Sequence, residues 1–250
     1  MNKYIFIFGT WPEISKKEIA SILNSADDGL EISGPNFAVY KTKKTAEELQ
    51  KILGGTVKIA KFIKKIDDLE ELDSRTWQSY LNLDANKKTH FGFSLYNDSW
   101  KNHKQIDLLA CELKKNLKGQ GYKARYVSSR QKELSSVIVK KNELLGQELV
   151  IIKNDPSFIL GITQSVQDFA SYSSRDFSRP ERDDRSGMLP PKLAQMMINL
   201  AGADRNKVIL DPFCGSGTVL QEALLLGFKE IYGADISQKA ISDSQENINW

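Results

Sequence analysis

The stretch Val208-Ile-Leu-Asp-Pro-Phe-Cys-Gly-Ser-Gly-Thr218 decides the fold of the C-terminal part of the chain. A short apolar run ends in Asp211, a glycine-containing turn follows, and an apolar helical pattern starts at Thr218. Gly215 and Gly217 allow positive φ and let backbone pass close to a ligand. Such a turn presents backbone N–H groups at a helix N-terminus. It is not a P-loop, because no Lys-Ser/Thr pair follows the second glycine, and Leu220 stands where the dinucleotide fingerprint needs a third. Asp235 ends the next apolar run, 24 positions after Asp211, where an acid can accept hydrogen bonds from a ribose. Strand, glycine turn, helix, strand and acid predict an adenosine site at the switch point of a Rossmann-like sheet.

Each residue also has a plainer role. Asp235 could cap the following helix, although Ser237 is available for that. Asp211 could serve the helix dipole, which is compatible with touching a ligand. Cys214 reads as a small packed side chain, since the nearest histidine in sequence is His103. Met188, Met196 and Met197 read as packing groups.

Upstream, the pattern divides the chain. Lys3–Phe8 alternates like a strand, Glu13–Asn24 has helical periodicity, and Leu30–Ser33 and Phe37–Lys41 read as strands about Gly34-Pro35. Thr45–Leu53 reads as a helix opened by a Thr45/Glu48 capping box and closed by Gly54-Gly55, and Thr56–Ile66 as a strand. The order βαββαβ is ferredoxin-like and spans residues 1–66. Residues 67–165 read as a second unit: a short helix near Trp77–Leu81, a strand at Thr89–Tyr96, and an amphipathic helix over Lys104–Gly119. Strands are expected at Tyr122–Val127, Val137–Lys141, Gln147–Lys153 and Phe158–Ile162. Asp168–Gly187 is dense in Arg and Asp and poor in periodicity, so 166–189 reads as a linker to a partial Rossmann-like domain over 190–250. The fold class is α/β, with an α+β N-terminal half.

Composition excludes several classes. The 250 residues are 40% hydrophobic and 27% charged, too apolar for a disordered chain. No run approaches the ~18 apolar residues of a membrane span, and Tyr4–Phe8 is too short for a signal segment. Two cysteines and two histidines make neither a disulfide framework nor a dedicated metal site. A reducing, cytoplasmic setting is the default. The net charge of +3 is unevenly spread: residues 101–141 hold 11 basic and 3 acidic groups. Lys114, Lys115, Lys118, Lys123, Arg125, Arg130 and Lys132 supply most of that excess, which suits a polyanion through counterion release. The bland alternative is a solvated lysine-rich face.

Asp211-Pro-Phe-Cys-Gly-Ser-Gly-Thr218 resembles motif I of S-adenosylmethionine-dependent methyltransferases that modify exocyclic amines of nucleic-acid bases. Arg175-Asp-Phe-Ser-Arg-Pro180 and Arg185-Ser-Gly-Met-Leu-Pro-Pro-Lys-Leu-Ala194 resemble the approach segment of THUMP-domain tRNA methyltransferases that form N2-methylguanosine at tRNA position 10. The likeness continues through Glu222-Ala223, Gly227, Asp235-Ile-Ser237 and Asn247-Ile-Asn-Trp250. It implies a ferredoxin-like domain, a THUMP RNA-binding domain at 67–165, and a Rossmann-like methyltransferase domain. It implies that Asp211, Phe213, Gly215 and Gly217 wrap the methionine part of S-adenosyl-L-methionine, that Asp235 holds the ribose, that Ile236 packs on adenine, and that Met188 and Pro190 lie beside the cofactor. The implied partner is tRNA, with no metal and no membrane. Whether a small accessory protein subunit takes part is not legible in the sequence.

One departure matters. These enzymes carry an Asp/Asn-Pro-Pro-Tyr loop that accepts the hydrogens of the target amine and stacks on an extruded base. That tetrapeptide does not occur here. The expectation is therefore a chain that supplies recognition modules and half a cofactor site, is inactive by itself, and leaves apolar groups such as Ile209 and Ile231 partly exposed. Other readings remain open: methylation of another tRNA or ribosomal RNA guanosine, or a THUMP protein that binds RNA without catalysis.

Overall fold

The alternation of Tyr4-Ile-Phe-Ile-Phe8 becomes strand β1 (Asn2–Phe8), which pairs antiparallel with β3 (Phe37–Thr42), Tyr4 opposite Tyr40 and Phe6 opposite Ala38. The computed structural model describes residues 1–23, 29–98, 100–183, 187–202 and 204–250. Asn24, the expected end of the first helix, and Arg185 and Ser186 of the approach segment lie outside the described residues. The remaining N-terminal elements are α1 (Pro12–Ile22), β2 (Leu30–Ser33), α2 (Ala46–Ile52) and β4 (Thr56–Ile66). After them come α3 (Ser74–Gln78), β5 (Lys88–Tyr96), α4 (Trp100–Gly119), β6 (Lys123–Val127), α5 (Ser136–Lys141), β7 (Glu148–Asn154) and β8 (Ser157–Val166). The C-terminal elements are α6 (Phe169–Phe177), α7 (Pro191–Ala201), β9 (Ile209–Asp211), α8 (Thr218–Leu225), β10 (Ile231–Gly233) and α9 (Gln238–Asn249).

Eight strands form one sheet in the order β2-β3-β1-β4-β8-β7-β5-β6. β4 and β8 are antiparallel with Ile66 opposite Phe158, and β5 lies parallel to both β6 and β7. The expected boundary at residue 66 is thus crossed by a hydrogen-bonded ladder. The chain divides instead into a first unit, Met1–Ile7, Leu30–Glu47 and Lys58–Gln167, and a second, Phe8–Gly29, Glu48–Val57 and Asp168–Trp250.

In the first unit, α4 turns Ile106, Ala110, Leu113 and Leu117 inward at helical spacing, into a cluster with Phe91, Phe93, Leu95, Leu149 and Ile151. Trp77 meets the edge of Phe93 with ring centroids 5.2 Å apart. Between the strands sits a buried ion pair. Lys58 Nζ donates to Glu148 Oε1 at 2.5 Å and to the Leu134 carbonyl at 3.0 Å. Ser94 and Thr163 donate to the same carboxylate at 2.5 and 2.6 Å. Both charges are therefore fully engaged, as burial requires. Burial, the largest single effect, would lower the Lys58 pKa, but the charges and hydrogen bonds of Glu148 and Tyr96 together outweigh it and the ammonium is held above its ordinary range.

Two expectations fail here. Val137–Lys141 is helical rather than a strand: Ser135 Oγ caps α5 by accepting from the Ile138 N–H, and Val139 turns into the core. A β-branched run yielded to a cap. The expected linker also contains α6, whose N-terminus is capped by the Asp168 carboxylate through the Ser171 N–H.

In the second unit, β9 and β10 run parallel, with Asp211 opposite Gly233. Ile198 of α7 packs with Ala223, Leu226 and Phe228, and Ile209 and Ile231 join that cluster half-buried. Ile209 and Ile231 are thus partly exposed, as expected, and the strand pleat sends their neighbours Leu210 and Tyr232 the other way, into fuller exposure. A buried carboxylate joins the discontinuous pieces: Glu18 accepts from Gly54 N at 2.8 Å, Gly55 N at 2.9 Å and Asn199 Nδ2 at 2.7 Å.

Candidate functional site

The candidate cofactor turn follows β9. Asp211 Oδ1 accepts the Phe213 N–H at 3.1 Å, and its carbonyl accepts from Ala234 N at 2.9 Å. Cys214 N donates to the Ala234 carbonyl at 2.9 Å. The β9–β10 ladder thus continues into the two loops that leave it. Asp235 completes the link, with Oδ2 accepting from Gly215 N at 3.0 Å and Oδ1 from Ser237 N at 2.9 Å. Ser237, not Asp235, caps α9 through the Ala240 N–H. The acid expected to hold a ribose is thus hydrogen-bonded to the turn itself.

The two glycines have different work. Gly215 (φ +50°) has no heavy atom within 4 Å of where a Cβ would stand. Gly217 (φ +85°) precedes α8, and a Cβ there would collide with Ser244 Oγ and lie 3.1 Å from Ser244 Cβ. Gly217 therefore permits close packing of α9, and Gly215 faces open space. Phe213 and Ile236 project outward, 86% and 105% exposed. Cys214 is buried, and burial, followed by Asp211 and Asp235, pushes its thiol up, which suits packing rather than nucleophilic chemistry. Two carboxylates, two projecting apolar side chains and a glycine with open space before it fit an adenosine and amino-acid ligand.

Behind the turn, Arg179 is buried, donating from Nη1 to Thr218 Oγ1 at 2.7 Å and standing with Nη2 2.8 Å from Met188 Sδ. Half-buried Met188 is thereby tied to the start of α8, while Pro190 is exposed ahead of α7. Asn247 Nδ2 donates to the Ser216 carbonyl at 2.9 Å and the Glu181 carbonyl at 2.8 Å, fastening the turn from α9. The roles of Arg179 and Asn247 were not read from the sequence. A lone buried amide has no periodic signature, and Arg179 follows a helix that went unseen. A cleft of about 380 Å³ beside the turn includes Asp211 and Pro212 but neither Gly215 nor Asp235.

The basic residues do not form one patch. Lys114, Lys115 and Lys118 lie on α4, the first half-buried and the others exposed. Ala124 and Tyr126 of β6 join the α4 cluster, whereas Val127 packs with Leu134, Val139 and Leu144. Alternation places Lys123 and Arg125 with Val127, on the sheet face opposite α4. There Lys123 pairs in register with Lys88, and Arg125 with His90. The exposed Lys140 and Lys141 close α5, which packs against that same face. Arg130 is exposed in the loop, and Lys132 donates to the Asp98 carbonyl at 2.5 Å. Among the described residues no group of three or more His, Cys, Asp or Glu side chains could hold a metal ion, and no helix is long and apolar enough to cross a membrane.

Residues 179–249 match the family model of the RMKL-like methyltransferase domain. A tRNA (guanine(10)-N2)-dimethyltransferase of Methanothermobacter thermautotrophicus is 45% identical over 62 residues, 25% of this chain and 18% of that protein. The chain therefore matches less than a fifth of that relative's length. The crystal structure of TrmN from Thermus thermophilus superposes with a TM-score of 0.58 at 16% identity, covering 98% of this chain and 69% of that one. SMU.472, solved in complex with SAH, gives 0.52 at 15% identity over 99% of this chain and 72% of its own. These likenesses establish the fold, a mixed α/β chain ending in Rossmann-like methyltransferase elements.

Proposed function

We propose that this protein transfers a methyl group from S-adenosyl-L-methionine to the exocyclic N2 amine of a tRNA guanosine, that of position 10 as in the similar dimethyltransferase. The observation that carries the reading is the Asp235–Gly215 hydrogen bond, which ties the expected ribose acid to the expected cofactor turn. It stands within the segment that matches a methyltransferase domain.

When bound, the cofactor supplies an electrophilic methyl group on a sulfonium. The chain's own residues bind and orient. Each Asp235 oxygen already accepts one backbone N–H and keeps a second lone pair for a ribose hydroxyl. Asp211 and the turn backbone stand where the amino-acid end would lie, and Ile236 and Phe213 provide apolar surface. Met188, held by Arg179, and Pro190 bound the other side. No residue of the chain is assigned to the methyl-accepting step. RNA engagement falls to the first unit, where the face bearing Lys88, Lys123, Arg125 and the α5 lysines is a second candidate beside the α4 lysines. Residues 67–165 are read as a THUMP domain sharing its sheet with the ferredoxin-like strands.

The test is calorimetry with S-adenosyl-L-methionine, then incubation of tRNA with the methyl-labelled cofactor and nucleoside analysis. Cofactor binding with label in N2-methylguanosine alone supports the proposal. Label in another nucleoside overturns the guanosine assignment, and absence of cofactor binding overturns the reading altogether. Binding of both ligands without transfer would leave the chain as the recognition and cofactor-holding part.

A further inference from the structure

Helix α6 is amphipathic, yet none of its residues is fully buried. Phe169, Tyr172, Ser173, Asp176 and Phe177 recur at helical spacing and line one wall of a cleft of about 270 Å³. The facing wall is Thr10, Trp11, Pro190, Pro191 and Lys192. Four aromatic rings thus meet in one cleft, and Phe177 is 62% exposed within it. An apolar helix stripe left facing a cleft rather than a core indicates a surface kept for a ligand.

Cations accompany the rings. The Arg175 guanidinium lies 4.6 Å from the Tyr172 centroid, the Lys192 ammonium 5.2 Å from it, and the Arg182 guanidinium 5.7 Å from the Phe177 centroid. Rings interleaved with cations are the chemistry that receives a stacked base and its phosphate, and it is tolerant of base identity. Behind the cleft the Lys192 carbonyl is 2.5 Å from where a Cβ on Gly54 would stand, so glycine at 54 lets the two backbones lie this close. Burial lowers the Lys192 pKa, with Asp176 as the opposing charge, and an approaching phosphate would reverse that. Pro190 belongs both to this cleft and to the residues proposed to lie beside the cofactor.

We propose that this cleft takes a single-stranded nucleotide of the RNA substrate, its base stacked on Phe177 and Trp11 and its phosphate on Lys192. The inference rests on the reading of the protein as a tRNA methyltransferase and adds a second contact to it, at the rim of the cofactor turn. A protein partner is the rival occupant. Arg175 is paired with Glu222, so Lys192 and Arg182 beside the rings are the cations that favour the polyanion.

The test uses the whole chain with tRNA and with S-adenosylhomocysteine. Phe177→Ala and Lys192→Ala should each weaken tRNA binding roughly tenfold, Phe177→Tyr should restore it, and S-adenosylhomocysteine affinity should stay at the wild-type value. Ultraviolet crosslinking of tRNA should map to Phe177 or Trp11 and vanish with a fully double-stranded RNA. Wild-type tRNA affinity in both alanine variants overturns the cleft assignment while leaving the methyltransferase reading intact. Failure of the wild-type chain to bind tRNA overturns both. Self-association lost in Phe177→Ala, with RNA binding unchanged, would assign the cleft to a second copy of the chain and also overturn the proposal.

Discussion

The Asp235 carboxylate accepts the backbone N–H of Gly215 at 3.0 Å, so the acid after β10 is fastened to the glycine turn after β9. Asp235→Ala removes that fastening along with the hydrogen bonds proposed to a ribose. Charge-assisted bonds of this kind contribute ~1.5–3 kcal/mol, so S-adenosyl-L-methionine affinity should fall at least tenfold by calorimetry. Asp235→Asn keeps one acceptor oxygen and should fall between. Equal affinity in all three proteins would remove Asp235 from the site.

The two turn glycines should fail differently. Gly215→Ala meets no atom and pays only for its left-handed backbone, about 1–2 kcal/mol, so it should fold and lose cofactor affinity through crowding of the ligand. Gly217→Ala collides with Ser244 and should lower the melting temperature more. Ser244→Gly should recover part of that loss, and thermal melts of the single and double variants decide it.

Glu222 is buried and accepts from Arg175 Nε at 2.5 Å and Nη2 at 3.3 Å. Arg175→Ala would strand that carboxylate, so urea unfolding should show a loss of about 3–5 kcal/mol. Replacing both partners with apolar residues should cost less, because the stranded Glu222 carboxylate is then gone.

Charge reversal can decide between the two basic faces. Lys114, Lys115 and Lys118 changed to Glu test the α4 face, and Lys88, Lys123 and Arg125 changed to Glu test the opposite one. The set that carries the phosphate contacts should weaken tRNA binding and flatten its dependence on salt, since each neutralised phosphate adds to that slope. Fluorescence anisotropy between 50 and 300 mM salt, roughly, spans the useful range. An unchanged slope in both sets would mark both faces as merely solvated.

Burial raises the Glu18 pKa above its ordinary 4.5, against the lowering effect of its hydrogen bonds to Asn199, Gly54 and Gly55. The folded state then holds its proton more tightly than the unfolded chain. The resulting stability is greatest below the ordinary value and declines as pH rises from 4.5 toward the raised value. Glu18→Gln should remove that decline, seen as a flatter plot of urea midpoint against pH than in the wild type.

Much of this was legible in the sequence because it was local. The βαββαβ order, the inward stripe of α4 and the turn from Asp211 to Gly217 are periodic or motif-bound, and they hold in the structure. The α5 segment misled because Val137-Ile-Val has strand propensity, while its helix depends on the single Ser135 cap. The α6 helix was hidden because its apolar stripe, Phe169, Tyr172 and Phe177, is sparse among Ser and Asp. The division of the basic residues between two faces was beyond sequence reading. It depends on which side of β6 packs under α4, and a charge count carries no such sign. The Lys58–Glu148 pair and the Glu18–Asn199 bond were equally hidden, since contacts 90 and 181 residues apart leave no spacing to read.

The second unit is drawn from three separated lengths of chain, and this sets a timetable for its birth. Glu18 leaves the ribosome 181 residues before the Asn199 amide that helps satisfy its carboxylate. At translation rates of ~5–20 residues per second, that interval is about 10–35 s. Throughout it, α1 and the Gly54-Gly55 bend have no α7 to pack on. The nascent chain must carry their apolar surface unpaired, so chaperone occupancy should peak before α7 emerges and fall abruptly after it.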